Sequence, residues 1–351
     1  MKPLHILYVG PMGKGQTCRH RYDALERLGQ QMSYFDITPY SFSSKFLNAL
    51  RYRYPMGPLI TRINRELRAR IRAERPEVVW FDRPTLFTRR TLKLIRQLRI
   101  RSVCCCIDNP LGPRKDGCWH QFFRILRLHD LHVLFRQADI PRYERLNLPW
   151  VKIQLSYEPE VHFPPPPTWS DEDRDWEVSY VGFPYEERPE FLRTLIEREH
   201  LPVVIAGPGW QKRVTGEERK RWEAAGHLRD QGGYLCNEDY RHALWRSKIS
   251  LSFVTKQNEE DVAHKAFEIA ACGGFLLALR IPGHQACFEE GKEAEFFDSV
   301  EECAEKIRYY LAHPAERQEI ARRGCERAKT SGYDNDSQMQ RILDKLAAMP
   351  W

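Results

Sequence analysis

Short apolar runs alternate with amphipathic segments along the first 160 residues. The apolar runs predict strands at Leu4–Val9, Met32–Ile37, Glu77–Phe81, Ser102–Ile107, Leu131–Phe135 and Val151–Leu155. The amphipathic segments between them predict helices at 19–28, 88–98 and 119–128. This alternation is typical of a parallel sheet that is covered by helices on both faces.

The same alternation resumes after residue 175. Strands are predicted at Trp176–Val181, Val203–Ala206, Ile249–Val254 and Phe275–Leu279. Helices are predicted at Arg188–Glu199, Asp239–Ser247 and Asn335–Ala348, with a further one beginning near His264. The segment 163–175 contains four consecutive prolines and a charged run, which indicates a linker. The pattern thus predicts an α/β protein with two doubly wound domains, at 1–162 and 176–332, in which the cleft between the domains is the expected binding site.

Composition narrows the class of protein. A hydrophobic content of 42% indicates a globular chain, and no run of about 18 apolar residues predicts a membrane-spanning helix. The apolar run near the N-terminus is too short for a signal peptide, so a cytoplasmic location is expected. The cysteines show no zinc-type CxxC spacing, and adjacent residues of the Cys104–Cys106 run point to opposite faces of a strand, so reduced and mostly buried thiols are predicted.

Charge is distributed unevenly between the two halves. Residues 1–150 contain 28 Lys or Arg against 12 Asp or Glu, whereas the remainder contains 27 against 36. Arginines are concentrated between Arg51 and Arg75. Three explanations fit such a run: a solvated helix face, peripheral contact with an anionic membrane or lipid-linked acceptor, and nucleic-acid binding. Nucleic acid is the least favoured, because no nucleic-acid-binding motif accompanies the run.

The segment 260–278 has the strongest chemical signature. A polar loop leads into a short helix, whose first N–H groups and positive dipole end suit a phosphate or diphosphate. His264 and Lys265 are expected beside that site, and Glu268 has the position of a carboxylate that binds a ribose diol. Gly273 and Gly274 end the helix before the next strand. An ordinary helix with a glycine cap is the alternative interpretation.

The spacing of two glutamates in this segment resembles a known motif. Glu260 and Glu268 are separated by seven residues, as in the donor site of retaining GT-B glycosyltransferases. The run AHKAFEIAACGGFLLA, with FEEGKEAEFF after it, resembles more closely the CgeB-like, glycosyltransferase family 4-like branch. That branch usually has arginine where this chain has Lys265, which keeps the charge but loses the planar fork for phosphate.

The resemblance implies a GT-B fold, in which two Rossmann-like domains face a central cleft and the last segment, 333–351, packs back on the N-terminal domain. It also implies a hexosyltransferase-like enzyme that retains the anomeric configuration. The first domain would bind the acceptor, and the second would bind the nucleotide sugar. Within the second domain the residues around Glu268, including Lys265, Ala266 and Phe267, are expected to contact the donor.

Other segments of the second domain match the same family. Gly182 ends a strand, and Arg188 in the following loop is expected to be the main cation for the diphosphate; an unpartnered surface arginine is the alternative. Gly207 and Trp210 fit the family's Gly-x-Gly-Trp turn. The backbone of Tyr234 and Leu235 is expected beside the nucleotide base.

The candidate catalytic residues are Asp108, Glu260 and His264. Asp108 follows a first-domain strand and is placed to act as acid or base toward an acceptor hydroxyl, although a turn aspartate is an equally good explanation. Glu260 is expected near the transferred sugar, and His264 is expected to orient the sugar or phosphate. Gly13, in the loop after the first strand, would let the backbone approach a ligand, although this loop is not a Walker sequence.

No metal site is predicted. The aspartates at 171, 173 and 175 follow four prolines instead of a strand, unlike the acidic motif of GT-A enzymes. The expected function is therefore transfer of a sugar from a UDP-, GDP- or dTDP-sugar, without another cofactor, to a glycan, lipid, peptide or small metabolite. A sugar-nucleotide epimerase on the same scaffold and a non-enzymatic nucleotide-binding or partner-binding protein are the alternatives.

Overall fold

The computed structural model describes residues 2–113, 117–229 and 235–350. The chain forms two compact units. Unit 1 comprises Met1–Gln154, Gln257–Glu259 and Asn335–Trp351. Unit 2 comprises Leu155–Lys256 and Glu260–Asp334.

Unit 1 is built on a six-stranded parallel sheet. Its strands are β1 (His5–Gly10), β2 (Gln31–Asp36), β3 (Val78–Asp82), β4 (Arg101–Cys105), β5 (Leu131–Leu134) and β6 (Trp150–Lys152). They lie in the order β2-β1-β3-β4-β5-β6, so the direction of winding reverses at β1, which pairs with β2 on one side and β3 on the other. Every residue of β3 and β4 is buried, and all of them except Asp82, Arg101 and Ser102 are apolar, which explains the apolar runs at these places in the sequence.

Seven α-helices accompany this sheet in the described part of unit 1. They are α1 (Thr17–Arg27), α2 (Lys45–Arg53), α3 (Pro58–Glu74), α4 (Arg89–Gln97), α5 (His120–Ile125), α6 (Ile140–Arg145) and the C-terminal helix α14 (Asn335–Ala348). The C-terminal helix lies against α1, where Arg27 Nε donates to both carboxylate oxygens of Asp336 at 3.1 Å. Arg101 also donates to backbone carbonyls at the end of α14, among them that of Met349 at 2.8 Å. The end of the chain is therefore part of unit 1.

Residues 257–259 belong to unit 1, although the chain on either side of them belongs to unit 2. Arg142 donates to both carboxylate oxygens of Glu259 at 2.6 and 2.9 Å, and Asn109 Nδ2 donates to the same carboxylate at 2.8 Å. The hydrogen bond from Arg142 lowers the pKa of Glu259. Glu259 is thus engaged within unit 1, whereas its neighbour Glu260 belongs to unit 2.

Unit 2 repeats the architecture with a second six-stranded parallel sheet. Its strands are β7 (Trp176–Val181), β8 (Val203–Ala206), β9 (Leu228–Arg229), β10 (Ser247–Ser252), β11 (Phe275–Leu279) and β12 (Glu295–Phe297). They lie in the order β12-β11-β10-β7-β8-β9. Winding proceeds outward from β7 to β9 and then continues on the other side of β7 with β10. The point where the strand order reverses lies between β7 and β10.

Seven α-helices also lie in the described part of unit 2. They are α7 (Arg188–Glu197), α8 (Gly216–Ala224), α9 (Glu238–Trp245), α10 (His264–Ala271), α11 (Pro282–Cys287), α12 (Val300–Ala312) and α13 (Pro314–Thr330). A core of aromatic and branched residues, including Tyr180, Trp210 and Phe275, packs around this sheet. The predicted α/β class with two doubly wound parallel sheets is confirmed.

Four predicted strands, namely β2, β4, β6 and β10, begin and end earlier than expected. The sequence predicts Ile249–Val254, whereas β10 runs from Ser247 to Ser252. Ser247 is fully buried, and its hydroxyl donates to the Ser179 hydroxyl of the neighbouring β7 at 2.6 Å. Because Ser179 satisfies the buried Ser247 inside this sheet, polarity does not mark the start of the strand here.

The proline-rich segment 163–175 lies within unit 2 and is tied to it at several points. Arg174 Nη1 donates to the backbone carbonyls of Trp245 at 2.8 Å and Ser247 at 3.0 Å. The buried Arg317 of α13 forms an ion pair with Asp171. These contacts hold a segment that its composition alone marks as a linker.

The cysteines are reduced and mostly buried in this structure, as the sequence predicts. None of the ten cysteines is in a disulfide; nine of them are buried and Cys236 is half-buried. Burial raises the pKa of each thiol in the Cys104–Cys106 run.

Across the described ranges, no helix is both long enough and apolar enough to cross a bilayer.

Candidate functional site

The reversal of strand order in unit 2 brings together the loops that follow β7 and β10. Ligands of doubly wound sheets bind at the carboxyl ends of the strands at such a point. Arg188, the first residue of α7, is only 7% exposed, and its guanidinium contacts both β7 and the loop after β10. Its Nη2 donates to the Val254 carbonyl at 3.0 Å and to Thr255 Oγ1 at 3.1 Å, and its Nη1 donates to the Tyr180 hydroxyl at 3.1 Å.

The guanidinium of Arg188 retains capacity for an anion. Its Nε is buried and has no hydrogen-bond partner among the described residues. Nor do the described residues include a carboxylate in an ion pair with Arg188. A buried cation without an anionic partner is costly unless a ligand supplies the anion. Arg188 is therefore a buried and oriented cation, not the free surface arginine of the alternative interpretation.

Two glycine turns at the carboxyl ends of β7 and β8 lie against each other. Gly207 has a φ of 117°, and a Cβ on it would come within 2.9 Å of the Gly182 carbonyl oxygen. A Cβ on Gly182 would lie 3.1 Å from Lys265 Cε. Glycine at these positions lets the two turns and the lysine approach one another closely.

Trp210 holds these turns together. Its side chain is fully buried, and its indole Nε1 donates to the Gly182 carbonyl at 2.8 Å. The sequence places Trp210 among the donor-binding residues, but the indole N–H is already used and the ring belongs to the core of unit 2. In the structure, Trp210 therefore stabilises the two glycine turns.

The first turns of α10 carry the ionisable residues predicted from the sequence. Tyr240 of α9 donates from its hydroxyl to Glu268 Oε2 at 2.6 Å, and Lys265 Nζ donates to the same hydroxyl at 3.3 Å. Lys265 Nζ also lies 4.6 Å from the centroid of the Tyr240 ring, a cation–π distance. These three side chains, together with His162 and His264, form what we call the Glu268 cluster.

Two imidazoles face the other oxygen of Glu268. His264 Nε2 and His162 Nε2 lie 3.7 and 3.8 Å from Oε1. His162 Nδ1 accepts from the Glu158 backbone N–H, so the proton of the neutral ring is on Nε2 and points toward the carboxylate. His264 Nε2 lies 2.6 Å from the Ser156 carbonyl, which requires a proton on that nitrogen as well.

These surroundings keep Glu268 ionised. Burial opposes ionisation, but His264, His162 and Lys265 and the hydrogen bond from Tyr240 outweigh it and lower the pKa of Glu268 to about 2. Burial lowers the pKa of Lys265, an effect that Glu268 opposes and Arg188 reinforces. A fixed carboxylate that is 12% exposed can accept strong hydrogen bonds from a ligand's hydroxyl groups.

The N-terminus of α10 adds backbone donors to the same cluster. Its N-cap residue, Ala263, makes no side-chain cap hydrogen bond, so the first N–H groups of the helix have no partner from that side chain. The side chains of Ala266 and Phe267 are fully buried, and the Ala266 N–H donates to the Ala263 carbonyl at 3.1 Å. Donor-binding roles for Ala266 and Phe267 are therefore restricted to the backbone, and for Ala266 the N–H is already used.

Glu260 connects to Arg188 through Thr255. Its Oε2 accepts from the Thr255 N–H at 2.8 Å, while the Thr255 hydroxyl accepts from Arg188. Glu260 thus holds the loop after β10 next to the guanidinium.

Of the two residues predicted beside the nucleotide base, Leu235 is half-buried in the loop before α9, and Tyr234 lies outside the described residues.

Asp108 and Gly13 belong to unit 1. Asp108 lies beyond the carboxyl end of β4, and its Oδ2 is 2.9 Å from Arg83 Nε in a half-exposed ion pair. The Gly13 carbonyl accepts from the Gln16 N–H at 3.2 Å in the loop after β1. These residues and the Glu268 cluster therefore belong to different units.

Three residues that contact Glu268 or Arg188 were not predicted as site residues. Tyr240 has the spacing of a core residue in α9, His162 precedes the proline run, and Thr255 lies in a loop without a motif. The Glu158–His162 segment carries no pattern that indicates a site. Their roles depend on contacts between distant parts of the chain, which periodicity does not reveal.

The acidic residues of 171–175 do not converge on a metal site. Asp173 accepts from the Ser170 N–H at 2.6 Å, Asp175 pairs with Arg246, and Asp171 pairs with Arg317. Throughout the described ranges, no group of three or more His, Cys, Asp or Glu residues has the geometry to hold a metal ion.

Comparison with known proteins agrees with this architecture. A family model described as Glycosyl transferase-like matches residues 188–344, which include Arg188, Tyr240, Lys265 and Glu268. No functionally curated protein has a significant sequence match to the chain.

Solved structures match the chain over almost its full length. Sucrose-phosphate synthase from Thermosynechococcus elongatus has a TM-score of 0.66 at 13% identity, with 98% of this chain and 99% of that chain covered. HepE from Anabaena in complex with UDP-glucose has a TM-score of 0.63 at 14% identity, with 99% and 100% covered. A glycosyltransferase from Rickettsia africae has a TM-score of 0.65 at 10% identity, also with 99% and 100% covered. The chain therefore has the GT-B fold of two Rossmann-like domains, and the region that the Glycosyl transferase-like model matches contains most of the Glu268 cluster.

Proposed function

We propose that the protein is a glycosyltransferase that moves a sugar from a nucleoside-diphosphate sugar to an acceptor. The observation that carries the proposal is the cluster at the strand-order reversal of unit 2. There an ionised Glu268 lies beside Lys265 on α10, a helix whose N-cap makes no side-chain hydrogen bond, and the buried Arg188 at the start of α7 contacts the loop after β10. A carboxylate for a ribose and fixed cations for a diphosphate are the groups that such a donor requires.

Each part of the cluster has a role in this proposal. Glu268 accepts hydrogen bonds from the ribose hydroxyls, and Lys265, Arg188 and the N-terminus of α10 bind the diphosphate. When the sugar–phosphate bond breaks, negative charge develops on the departing nucleoside diphosphate, and these preorganised donors stabilise it. The residues Gly182 and Gly207 give the phosphates access to the backbone, and His264 and Glu260 act near the transferred sugar.

We assign acceptor binding to unit 1. Asp108 would take the proton of the acceptor hydroxyl, and the loop around Gly13 would approach the ligand through its backbone. We further propose that transfer needs no metal, that it retains the anomeric configuration, that the protein belongs to the CgeB-like branch, and that it acts in the cytoplasm. The backbone at Tyr234 and Leu235 would contact the base, and the sugar is expected to be a hexose from a UDP-, GDP- or dTDP-linked donor.

Ligand binding is the first test. Titration of the full chain with UDP, GDP, dTDP and their hexose conjugates, in the presence of EDTA, should reveal one preferred base by calorimetry. The same ligand should raise the melting temperature, because a ligand at about 100 times its Kd stabilises the native state by about 2.7 kcal/mol. Absence of heat and of a melting shift with every nucleotide would refute a donor site.

Turnover is the second test, with a panel of sugar, lipid and peptide acceptors and detection of both products by mass spectrometry. Transfer that depends on Glu268 and Arg188 supports the proposal. Isomerised nucleotide sugar without transfer would identify an epimerase. Nucleotide binding that survives replacement of Asp108, with no turnover on any acceptor, would identify a non-enzymatic nucleotide-binding protein.

A further inference from the structure

One surface of unit 1 exposes apolar side chains that no described element covers. Eleven large hydrophobic residues are exposed in the described chain, and six of them fall between residues 42 and 56. We call them the α2 patch: Phe42, Phe46, Leu47, Leu50, Tyr54 and Met56. Phe46 and Met56 are 73% and 74% exposed, whereas the other five exposed residues are scattered along the chain. Clustered exposure of this kind marks an interaction surface and not ordinary surface composition.

The α2 patch encloses an apolar groove. A cavity of about 740 Å³ lies between α2 and the start of α3, lined by Phe42, Leu47, Leu50, Tyr54, Met56 and Leu59. Arg51 and Arg62 also line it, and the Arg51 guanidinium donates to the Tyr40 carbonyl. The groove therefore offers apolar volume next to positive charge.

Positive charge continues from the groove along α3. Residues 45–75 contain nine Lys or Arg and two Glu. The inner face of α3 is formed by buried apolar residues such as Ile63 and Leu67, and the exposed Arg62, Arg65 and Arg72 follow one outer face because their spacings are three and seven.

Among the described residues, two of these arginines form ion pairs with a carboxylate. Glu66 pairs with Arg62 at 2.9 Å, and Glu74 pairs with Arg70. Burial and the nearby charges of Arg90 and Arg72 lower the pKa of Arg68. The excess of basic over acidic residues gives this stretch a positive field. Such a field favours a negatively charged partner.

We propose that the α2 patch and the outer arginines of α3 dock on the surface of an anionic lipid bilayer. Phe46 and Met56 would enter the interfacial layer, while Arg62, Arg65 and Arg72 contact anionic headgroups. An amphipathic surface with large apolar residues on one side and arginines on the other binds membranes peripherally by this combination. A second copy of the chain would bring two strongly basic faces together, and nucleic acid would leave the aliphatic Leu47 and Leu50 without a partner.

Vesicle flotation with the full chain tests this surface. Binding is expected to vesicles that contain phosphatidylglycerol, to weaken as salt rises, and to be at least about tenfold weaker to vesicles of phosphatidylcholine alone. The double replacement Phe46→Ser and Met56→Ser should weaken binding at least about tenfold, because it removes inserted apolar area. Both side chains are largely exposed, so an unchanged melting temperature verifies that the variant folds.

Matched controls separate this surface from general charge and hydrophobicity. Tyr309→Ser removes an exposed aromatic residue of unit 2 and should leave binding unchanged. The triple replacement of Arg62, Arg65 and Arg72 by glutamine should weaken binding at least about tenfold, since each basic residue near the membrane contributes about 1 kcal/mol. The same replacement at Arg221, Arg322 and Arg323, which are exposed in unit 2, should not.

The proposal is overturned if the patch variants bind anionic vesicles as the wild type does. It is also overturned if the wild type forms a dimer in sedimentation that the Phe46 and Met56 replacements dissociate, or if it binds a DNA or RNA duplex through these residues and leaves vesicles unbound. None of these measurements uses a nucleotide, so the result is independent of the donor site.

Discussion

Replacement of Glu268 by glutamine tests the role of the carboxylate in donor binding. Glutamine has almost the same shape, and its amide oxygen can still accept from the Tyr240 hydroxyl, which lies 2.6 Å from the carboxylate. The substitution therefore removes the charge and keeps the arrangement of α9 and α10. Since the pKa of Glu268 is lowered to about 2, the wild-type side chain is ionised throughout the range of practical assays.

The size of the effect follows from the kind of hydrogen bond. A hydrogen bond to a buried charged group contributes about 1.5–3 kcal/mol. The Glu268→Gln variant should thus bind its preferred nucleoside diphosphate about 10- to 150-fold more weakly. Isothermal titration calorimetry measures both dissociation constants directly.

Analogues of the nucleotide locate the interaction. The wild type should lose a similar factor when the 2′- or 3′-hydroxyl of the ribose is absent, whereas Glu268→Gln should lose little, because its hydroxyl acceptor is already weakened. This double comparison isolates the coupling between the carboxylate and the ribose. If both proteins lose equal affinity for the deoxy analogue, or if the variant binds the diphosphate as tightly as the wild type, Glu268 does not contact the ribose.

The remaining predictions concern stability, phosphate binding and turnover. The pKa of Glu268 in the folded protein is about 2, against an ordinary value of 4.5. The charge of Glu268 should therefore stabilise the wild type relative to Glu268→Gln by about 3 kcal/mol above pH 4.5. Denaturant titrations should show that this difference disappears as the pH falls toward 2. Gly207→Ala should lower the free energy of unfolding by about 1–3 kcal/mol, because it places a Cβ at positive φ against a carbonyl oxygen. Gly216→Ala is the control: its Cβ meets no atom within 4 Å, so it should lower the free energy of unfolding by less. Arg188→Lys should weaken the binding of a nucleoside diphosphate at least about tenfold, because lysine lacks the planar fork of arginine. Calorimetric titration with the nucleoside alone should show unchanged affinity. Equal weakening of both ligands would contradict a role of Arg188 in phosphate binding. Asp108→Asn should lower kcat about 100-fold or more, while the Kd for the nucleotide stays within about twofold. An unchanged kcat, measured from release of the nucleoside diphosphate, would exclude Asp108 as the base.

The local elements were largely determined by the sequence. The predicted bounds of β7, β8, β11 and α14 coincide with those in the structure, because apolar runs flanked by glycine, proline or charged residues leave little freedom for where an element begins and ends. The position of Glu268 and Lys265 on a short helix before a glycine pair was also evident from their spacing. The shift of β10 shows where this information ends, since buried serines carry no hydrophobic signal.

The partners of each ionisable group were decided by the tertiary structure. Glu268 meets Tyr240 from α9 and His162 from the segment before the proline run, and Arg188 meets Thr255 beyond β10. These pairs are separated by 28 to 106 residues, so only the folding of the parallel sheet brings them together.

The exposure of the α2 patch was likewise invisible in the sequence, because an apolar residue has the same identity whether it is buried or faces solvent. The sequence therefore determined which groups the protein contains and on which elements they lie. The strand order and the close packing of the turns determined which of those groups act together and which remain exposed to a partner.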